Sequence, residues 1–169
     1  MRCVVVAAGD VDPRDRALLE GASPVIAADA GALALLAWGI RPDHLIGDLD
    51  SLDGETVERL RQQGTAVHQR AREKDESDTE LAVELALSFA PTRLVILGAL
   101  GGSRIDHELA SVLLLADPRL RGHDVRIVRG AATLRALHAP GTLTLEAPPG
   151  STVTLLPVGG DASGVTTRG

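Results

Sequence analysis

Two carboxylates two residues apart leave one short apolar run in Gly47-Asp48-Leu49-Asp50-Ser51. From that position both can address a single hard cation. Magnesium prefers such oxygen ligands, with phosphate oxygens and water completing its shell. The competing reading is a solvated turn in which Asp50 or Ser51 caps the next helix. A second acidic run, Lys74-Asp75-Glu76-Ser77-Asp78, enters a helix expected to begin near Asp78. Acids in a first turn suit the helix dipole. A carboxylate beside a helix N-terminus is equally suited to a metal–phosphate complex, because the unpaired backbone N–H groups there bind anions. Lys74, the single lysine of the chain, can bring a point charge to a phosphate.

A third group is Gly98-Ala99-Leu100-Gly101-Gly102-Ser103-Arg104-Ile105-Asp106-His107. Its glycines let backbone approach a phosphate closely, and the Arg104 fork can grip phosphate oxygens. It is neither a Walker A loop nor a dinucleotide fingerprint, since the glycine spacing of both differs. Asp106 can instead complete a capping box with Ser103. His107 reads equally well as a structural hydrogen-bonding residue or an acid–base group. Asp29-Ala30-Gly31 closes another apolar run. There Asp29 either contacts a ligand hydroxyl or base edge, or caps the following helix.

The elements that must position these groups alternate short apolar runs with stretches of helical period, the pattern of a mostly parallel α/β sheet flanked by helices. Strands are expected at Cys3–Ala8, Val25–Ala28, His44–Ile46, Thr65–His68, Leu94–Leu97 and Val125–Val128. Helices are expected at Pro13–Glu20, Ala32–Trp38, Glu55–Gln63, Asp78–Phe89 and Arg104–Ala116. In the last of these, Ile105, Leu109, Val112 and Leu113 recur at helical spacing and predict a buried stripe. Ser77-x-x-Glu80 and Ser103-x-x-Asp106 read as capping boxes. The acidic groups thus fall at strand ends, where open α/β sheets bind ligands. After about Arg129 the texture changes. Residues 138–169 alternate apolar and polar side chains between Pro and Gly, which predicts antiparallel strands.

Composition narrows the function classes. The chain has 169 residues, 44% of them hydrophobic, enough for one ordinary domain with a small appendage. Its formal charge of −6 argues against general nucleic-acid binding, and with Trp38 and Phe89 as the only aromatic residues no base-stacking platform is expected. No signal peptide or transmembrane run is evident. The single cysteine, Cys3, cannot form a disulfide within the chain, which suits a reducing cytosol, and its apolar neighbours mark it as a core filler rather than a nucleophile.

Taken in chain order, Ala28-Asp29-Ala30-Gly31, the stretch from Gly39 to Ser51, Lys74-Asp75-Glu76-Ser77-Asp78 and Gly101-Gly102-Ser103-Arg104-Ile105-Asp106-His107 resemble thiamine pyrophosphokinase, over about Val25 to Leu115. The tail from Gly141 resembles the start of that family's β-sandwich domain. The resemblance implies transfer of a pyrophosphoryl group from ATP to the hydroxyl of thiamine, giving thiamine diphosphate and AMP. It implies Mg2+ with ATP as co-substrate, and a cytoplasmic homodimer with active sites between subunits. Carried onto matching positions, Asp48, Asp50 and Asp78 are implied as magnesium ligands, and Asp50, Asp78 and Asp106 as catalytic groups. Asp29, Lys74, Asp75, Gly101, Gly102 and Arg104 are implied as nucleotide or substrate contacts, with Asp106 or Asp75 accepting the alcohol proton.

Three departures stand out. A frequent Asp-Gly-Gly is here Asp29-Ala30-Gly31, Ser103 separates the glycine pair from Arg104, and the chain stops at Gly169, where the second domain is expected to continue. The expected organisation is therefore an α/β ATP- and magnesium-binding catalytic domain at 1–135, then an incomplete β-sandwich thiamine-binding domain beginning at 136–169. Two other functions fit the same residues: a pyrophosphokinase for a pterin-like alcohol, and a nucleotide-binding module without turnover.

Overall fold

A computed structural model of the chain describes residues 1–73 and 75–168. They divide into two compact units, 1–136 and 137–169. The first holds a seven-stranded sheet built from β1 (Arg2–Val6), β2 (Val25–Ala28), β3 (His44–Gly47), β4 (Ala66–Gln69), β5 (Arg93–Leu97), β6 (Val125–Arg129) and β7 (Ala132–Leu134). Their spatial order is β4-β3-β2-β1-β5-β6-β7. The first six run parallel, and β7 pairs antiparallel with β6. Four α-helices cover it: α1 (Gly31–Ala37), α2 (Gly54–Gln62), α3 (Asp78–Ser88) and α4 (Ile105–Leu114).

Successive strand residues face opposite sides of the sheet, so each buried strand feeds two cores. Cys3 and Val5, Ile26 and Ala28, and Leu94 and Ile96 meet Ala82, Val83 and Ala86 of α3 on one face. Val4 and Val6, Leu45, and Val95 and Leu97 meet Ala32 and Leu35 of α1 and Leu60 of α2 on the other. Burial on both faces explains why the central strands read as continuous apolar runs. Cys3 lies wholly inside, and burial, with the nearby Asp43 carboxylate, pushes its thiol up to about 12. It is protonated and inert at neutral pH.

Local signals set the helix starts. Ser77 Oγ accepts from the Glu80 N–H at 3.1 Å and caps α3, as its sequence spacing predicts. Asp53, rather than Asp50 or Ser51, caps α2 by accepting from the Thr56 N–H at 2.7 Å. The expected Ser103 cap is not made. The residue flanking α4 is Arg104, with no side-chain cap hydrogen bond, because the turn of Gly101 and Gly102 delays the helix by one residue. Between β6 and β7 the two-residue link Gly130-Ala131 closes a hairpin, Gly130 taking φ 58°. That short final strand escapes a periodicity reading because three residues carry too little pattern.

The stripe expected to bury α4 is a second correction. Ile105, Leu109 and Leu113 are 67%, 55% and 58% exposed, whereas Ser111 and Leu115 face inward. Helical spacing locates an apolar face but not what covers it. In the second unit, the described residues 137–168 form no helix or strand, and Leu145, Val153 and Leu155 are exposed. The expected antiparallel strands are absent there. Alternation supplies one apolar face per segment, but a strand also needs hydrogen-bonded neighbours and an opposing layer.

Candidate active site

Three carboxylates converge at the C-terminal edge of the sheet. Asp29 ends β2, Asp48 follows β3, and Asp78 opens α3, the helix after β4. Each offers one oxygen, and the three oxygens lie within 4.8 Å of one another. Segments nearly fifty residues apart thus aim their acids at one point, because parallel strands deliver all their C-terminal ends to one edge of the sheet.

The backbone is bent to make this possible. Asp29 and Leu49 adopt φ 42° and 65°, a left-handed conformation that non-glycine residues seldom take and bulky ones least of all. Such strain persists where the surrounding structure holds it, and it clusters at functional sites. The Asp50 N–H donates to Asp48 Oδ1 at 3.2 Å, a local turn that orients that carboxylate. Gly47, at φ 149°, lies between the acids. A Cβ there would meet Asp29 Cβ at 3.0 Å and Asp78 Cγ at 3.1 Å. At Gly31 a Cβ would meet the Val6 carbonyl oxygen at 1.9 Å. The start of α1 is therefore pressed onto β1, and Ala30, not Gly31, is where the Asp-Gly-Gly pattern can vary.

Asp29 is 6% exposed, and its Oδ1 is buried without a hydrogen-bond partner among the described residues. Burial raises its carboxyl pKa. The Ser51 hydroxyl and the Ala30 N–H pull it back, and the charges of Asp78 and Asp48 push it up again. A buried acceptor left unsatisfied beside two further carboxylates is the signature of a missing positive partner. Oxygen donors of this number and charge fit a hard divalent cation, with positions left for water and phosphate oxygen.

Asp50, expected from the sequence among the metal ligands, lies outside this three-carboxylate group. Its Oδ2 pairs with Arg72 at 3.2 Å, and its Oδ1 accepts from Ser51 Oγ at 3.3 Å. Asp29 takes the place in the cluster that sequence reasoning gave to Asp50. Both acids follow strands, but Leu49, at φ 65°, stands between Asp48 and Asp50, and of these two only Asp48 belongs to the three-carboxylate group. Asp75 lines a separate cavity of about 450 Å3 together with Ser77, Glu80, Leu113 and Asp117, and none of the three clustered acids lines it. Lys74 lies outside the described residues.

The glycine loop sits at the crevice where the strand order reverses, between β1 and β5. The Gly9 N–H donates to the Gly98 carbonyl at 2.6 Å, and the Asp10 N–H to the Leu100 carbonyl at 3.1 Å, tying the two loops together. Gly101 takes φ 77°, which favours glycine, and a Cβ there would meet the exposed ends of Asp10 and Arg129, themselves paired at 2.9 Å. Asp10 and Arg129 are site-edge residues that no sequence motif announced. Their only signal is position, one following β1 and the other ending β6. Arg104 and Asp106 form a two-point pair, at 2.9 Å through Nε and 2.5 Å through the terminal nitrogen, and both are exposed. That guanidinium holds the Asp106 carboxyl well below the usual carboxylate range. In this arrangement Asp106 is anionic but a poor proton acceptor.

Comparison with known proteins identifies the family of the α/β part. Residues 16–128 match the family profile described as "Thiamin pyrophosphokinase, catalytic domain". The thiamine pyrophosphokinase of Bacillus subtilis (strain 168) is 38% identical over 90 residues, which are 53% of this chain and 42% of that protein. Among solved structures, a thiamin pyrophosphokinase family protein from Enterococcus faecalis superposes with a TM-score of 0.64 at 31% identity, over 76% of this chain and 61% of that one. The Bacillus subtilis enzyme gives 0.65 at 28% identity, over 76% and 60%. The yeast enzyme, at 15% identity and a TM-score of 0.63, shares the fold, over 76% and 58%. The chain spans less than two thirds of the length of each of these relatives.

Proposed function

We propose that this chain, which belongs to the thiamin pyrophosphokinase catalytic-domain family, carries the ATP- and magnesium-binding part of an enzyme that transfers a pyrophosphoryl group from ATP to the hydroxyl of thiamine. The products are thiamine diphosphate and AMP. The observation that carries the reading is the convergence of Asp29, Asp48 and Asp78 within 4.8 Å at the C-terminal edge of the sheet. Such chemistry needs positioning and charge neutralisation more than covalent participation by the protein.

In this reading Asp29, Asp48 and Asp78 hold the cation, which when bound neutralises charge on the phosphates. The loop through Gly101 and Gly102 admits the triphosphate at the β1–β5 crevice by backbone approach. Arg104, now occupied by Asp106, swings to a phosphate oxygen when ATP arrives. Its departure relieves the pull on Asp106, whose basicity then returns toward that of an ordinary carboxylate and lets it take the alcohol proton. Asp50 and Arg72 form a flanking ion pair that steadies the loop after β3. Residues 136–169 contribute to thiamine binding, a role supported only by the apolar–polar alternation of their sequence, since the described residues 137–168 form no strand.

The homodimer belongs to the same proposal. Its support is the exposed row Ile105, Leu109 and Leu113 on α4, since large contiguous apolar surface marks an interaction face. The decisive measurement is phosphorus NMR of ATP, Mg2+ and thiamine with the protein, following AMP and thiamine diphosphate. Tight ATP–magnesium binding without AMP would favour a nucleotide-binding module. AMP formation with a pterin-like alcohol but not with thiamine would change the acceptor and leave the site assignment standing.

A further inference from the structure

One face of the same sheet carries a concentration of arginines that the proposed chemistry does not use. Arg2 starts β1 and Arg93 starts β5, and the two are paired in register. Side chains two apart share a face, so both lie on the side that carries Val4 and Val95. Arg126 of β6, in register with Val95, joins them. Like charges directly opposite across a ladder are destabilising, and here a third guanidinium is added beside the pair. With Arg14 from the 3-10 helix at Pro13–Leu19, which lies against Gly130 just past the end of β6, these side chains line a cavity of about 280 Å3 along that face.

The acids around it do not match that charge. Asp124 alone answers three guanidiniums: Arg93 at 2.8 Å, Arg126 at 2.9 Å and Arg135 at 2.7 Å. They hold its carboxyl down at about 2. Arg14 donates to Asp12 through Nε at 2.9 Å and a terminal nitrogen at 2.8 Å. Asp15, the one acid lining the cavity, accepts from the backbone N–H groups of Asp12 and Gly130 at 3.0 and 2.8 Å. Arg2 donates one terminal nitrogen to the Glu20 carbonyl, and its Nε is buried without a hydrogen-bond partner among the described residues. Four guanidiniums thus line the cavity with one carboxylate, Asp15, which is already spent on backbone donors.

We infer that this cavity is an anion site for a phosphate- or pyrophosphate-bearing small molecule, distinct from the carboxylate cluster, none of whose three acids lines it. Several forks spread around one small volume suit an oxyanion with many acceptor oxygens better than a single carboxylate, which one fork satisfies. The volume lies at the lower end of ordinary ligand sites, about 300 Å3, so a nucleotide is too large and a compact polyanion fits.

Inorganic pyrophosphate is the probe, titrated calorimetrically into the full chain in excess EDTA. Without a divalent cation the clustered carboxylates repel it, and binding that persists in Arg104→Gln is not made at the glycine loop, so binding in EDTA by that variant reports the arginine cavity. We expect saturable binding that weakens by roughly tenfold or more in Arg93→Gln and in Arg14→Gln, the loss expected for one hydrogen bond to a charged group. It should persist in Asp48→Asn. Arg14 is 68% exposed, so its variant keeps the test open if Arg93→Gln fails to fold. No saturable binding at millimolar pyrophosphate overturns the inference. So does binding that both arginine variants retain in full, or binding that Asp48→Asn abolishes.

Discussion

Asp29, Asp48 and Asp78 differ from every other acid in the chain in sharing one point of space from three separate elements. The buried Oδ1 of Asp29, without a hydrogen-bond partner among the described residues, makes that point suited to a cation. Asp48→Asn and Asp78→Asn are each expected to reduce metal-dependent AMP formation by at least the roughly 10–100-fold that loss of an outer partner costs a metal site. Cooperative thermal unfolding should be kept, since both side chains are only partly buried. Asp50→Asn should lower metal affinity much less than Asp48→Asn, because Asp50 faces Arg72. Calorimetric Mg2+ titration of the variants checks this, and equal losses for Asp48→Asn and Asp50→Asn would restore Asp50 as a ligand. The acids themselves were legible in the sequence as strand-end carboxylates. Which of Asp29 and Asp50 joins the cluster was not, since that depends on the left-handed turn at Leu49, and a leucine gives no warning of a positive φ.

At the scale of elements, most strands and helices follow directly from two periodicities and a few caps. Ser77→Ala should cost about 1 kcal/mol of stability, the usual worth of an N-cap hydrogen bond, measured by denaturant unfolding. A loss near zero would mean that α3 is held by packing on the sheet alone. Contacts between strands are less visible in one dimension. His44 Nδ1 and His68 Nε2 lie 3.0 Å apart across β3 and β4, with their rings stacked at 5.3 Å. Burial first, then the charges of His44 and Arg70, lower the pKa of His68. The unfolded chain therefore binds a proton near the ordinary histidine pKa of about 6.5 that the folded chain refuses. Stability from this pair is present above that pH and fades as pH falls through it. Thermal unfolding between pH 7.5 and 5.5 should show a decline that His68→Gln flattens, and an unchanged slope in that variant would place the proton uptake elsewhere.

For the molecule as a whole, three carboxylates gather where β2 and β3 end and α3 begins, and four arginines line a cavity along one face of the sheet. The parallel sheet was readable because burial on both faces leaves uninterrupted apolar runs. The exposure of α4 was not, because an apolar stripe is written identically whether its own domain or another molecule covers it. Ile105, Leu109 and Leu113 are more than half exposed, and burying three such side chains would contribute a few kcal/mol, about 1.5–3 each if fully covered. If this face joins two copies of the chain, Leu109→Glu should shift sedimentation from dimer to monomer. It should do so without lowering the unfolding temperature of the monomer, since Leu109 touches water there already. It should also leave calorimetric Mg2+ binding intact, because the three clustered acids come from β2, β3 and α3 rather than α4. A variant that stays dimeric would move the subunit contact away from α4, and one that loses metal binding along with association would show that the carboxylate cluster depends on the second copy.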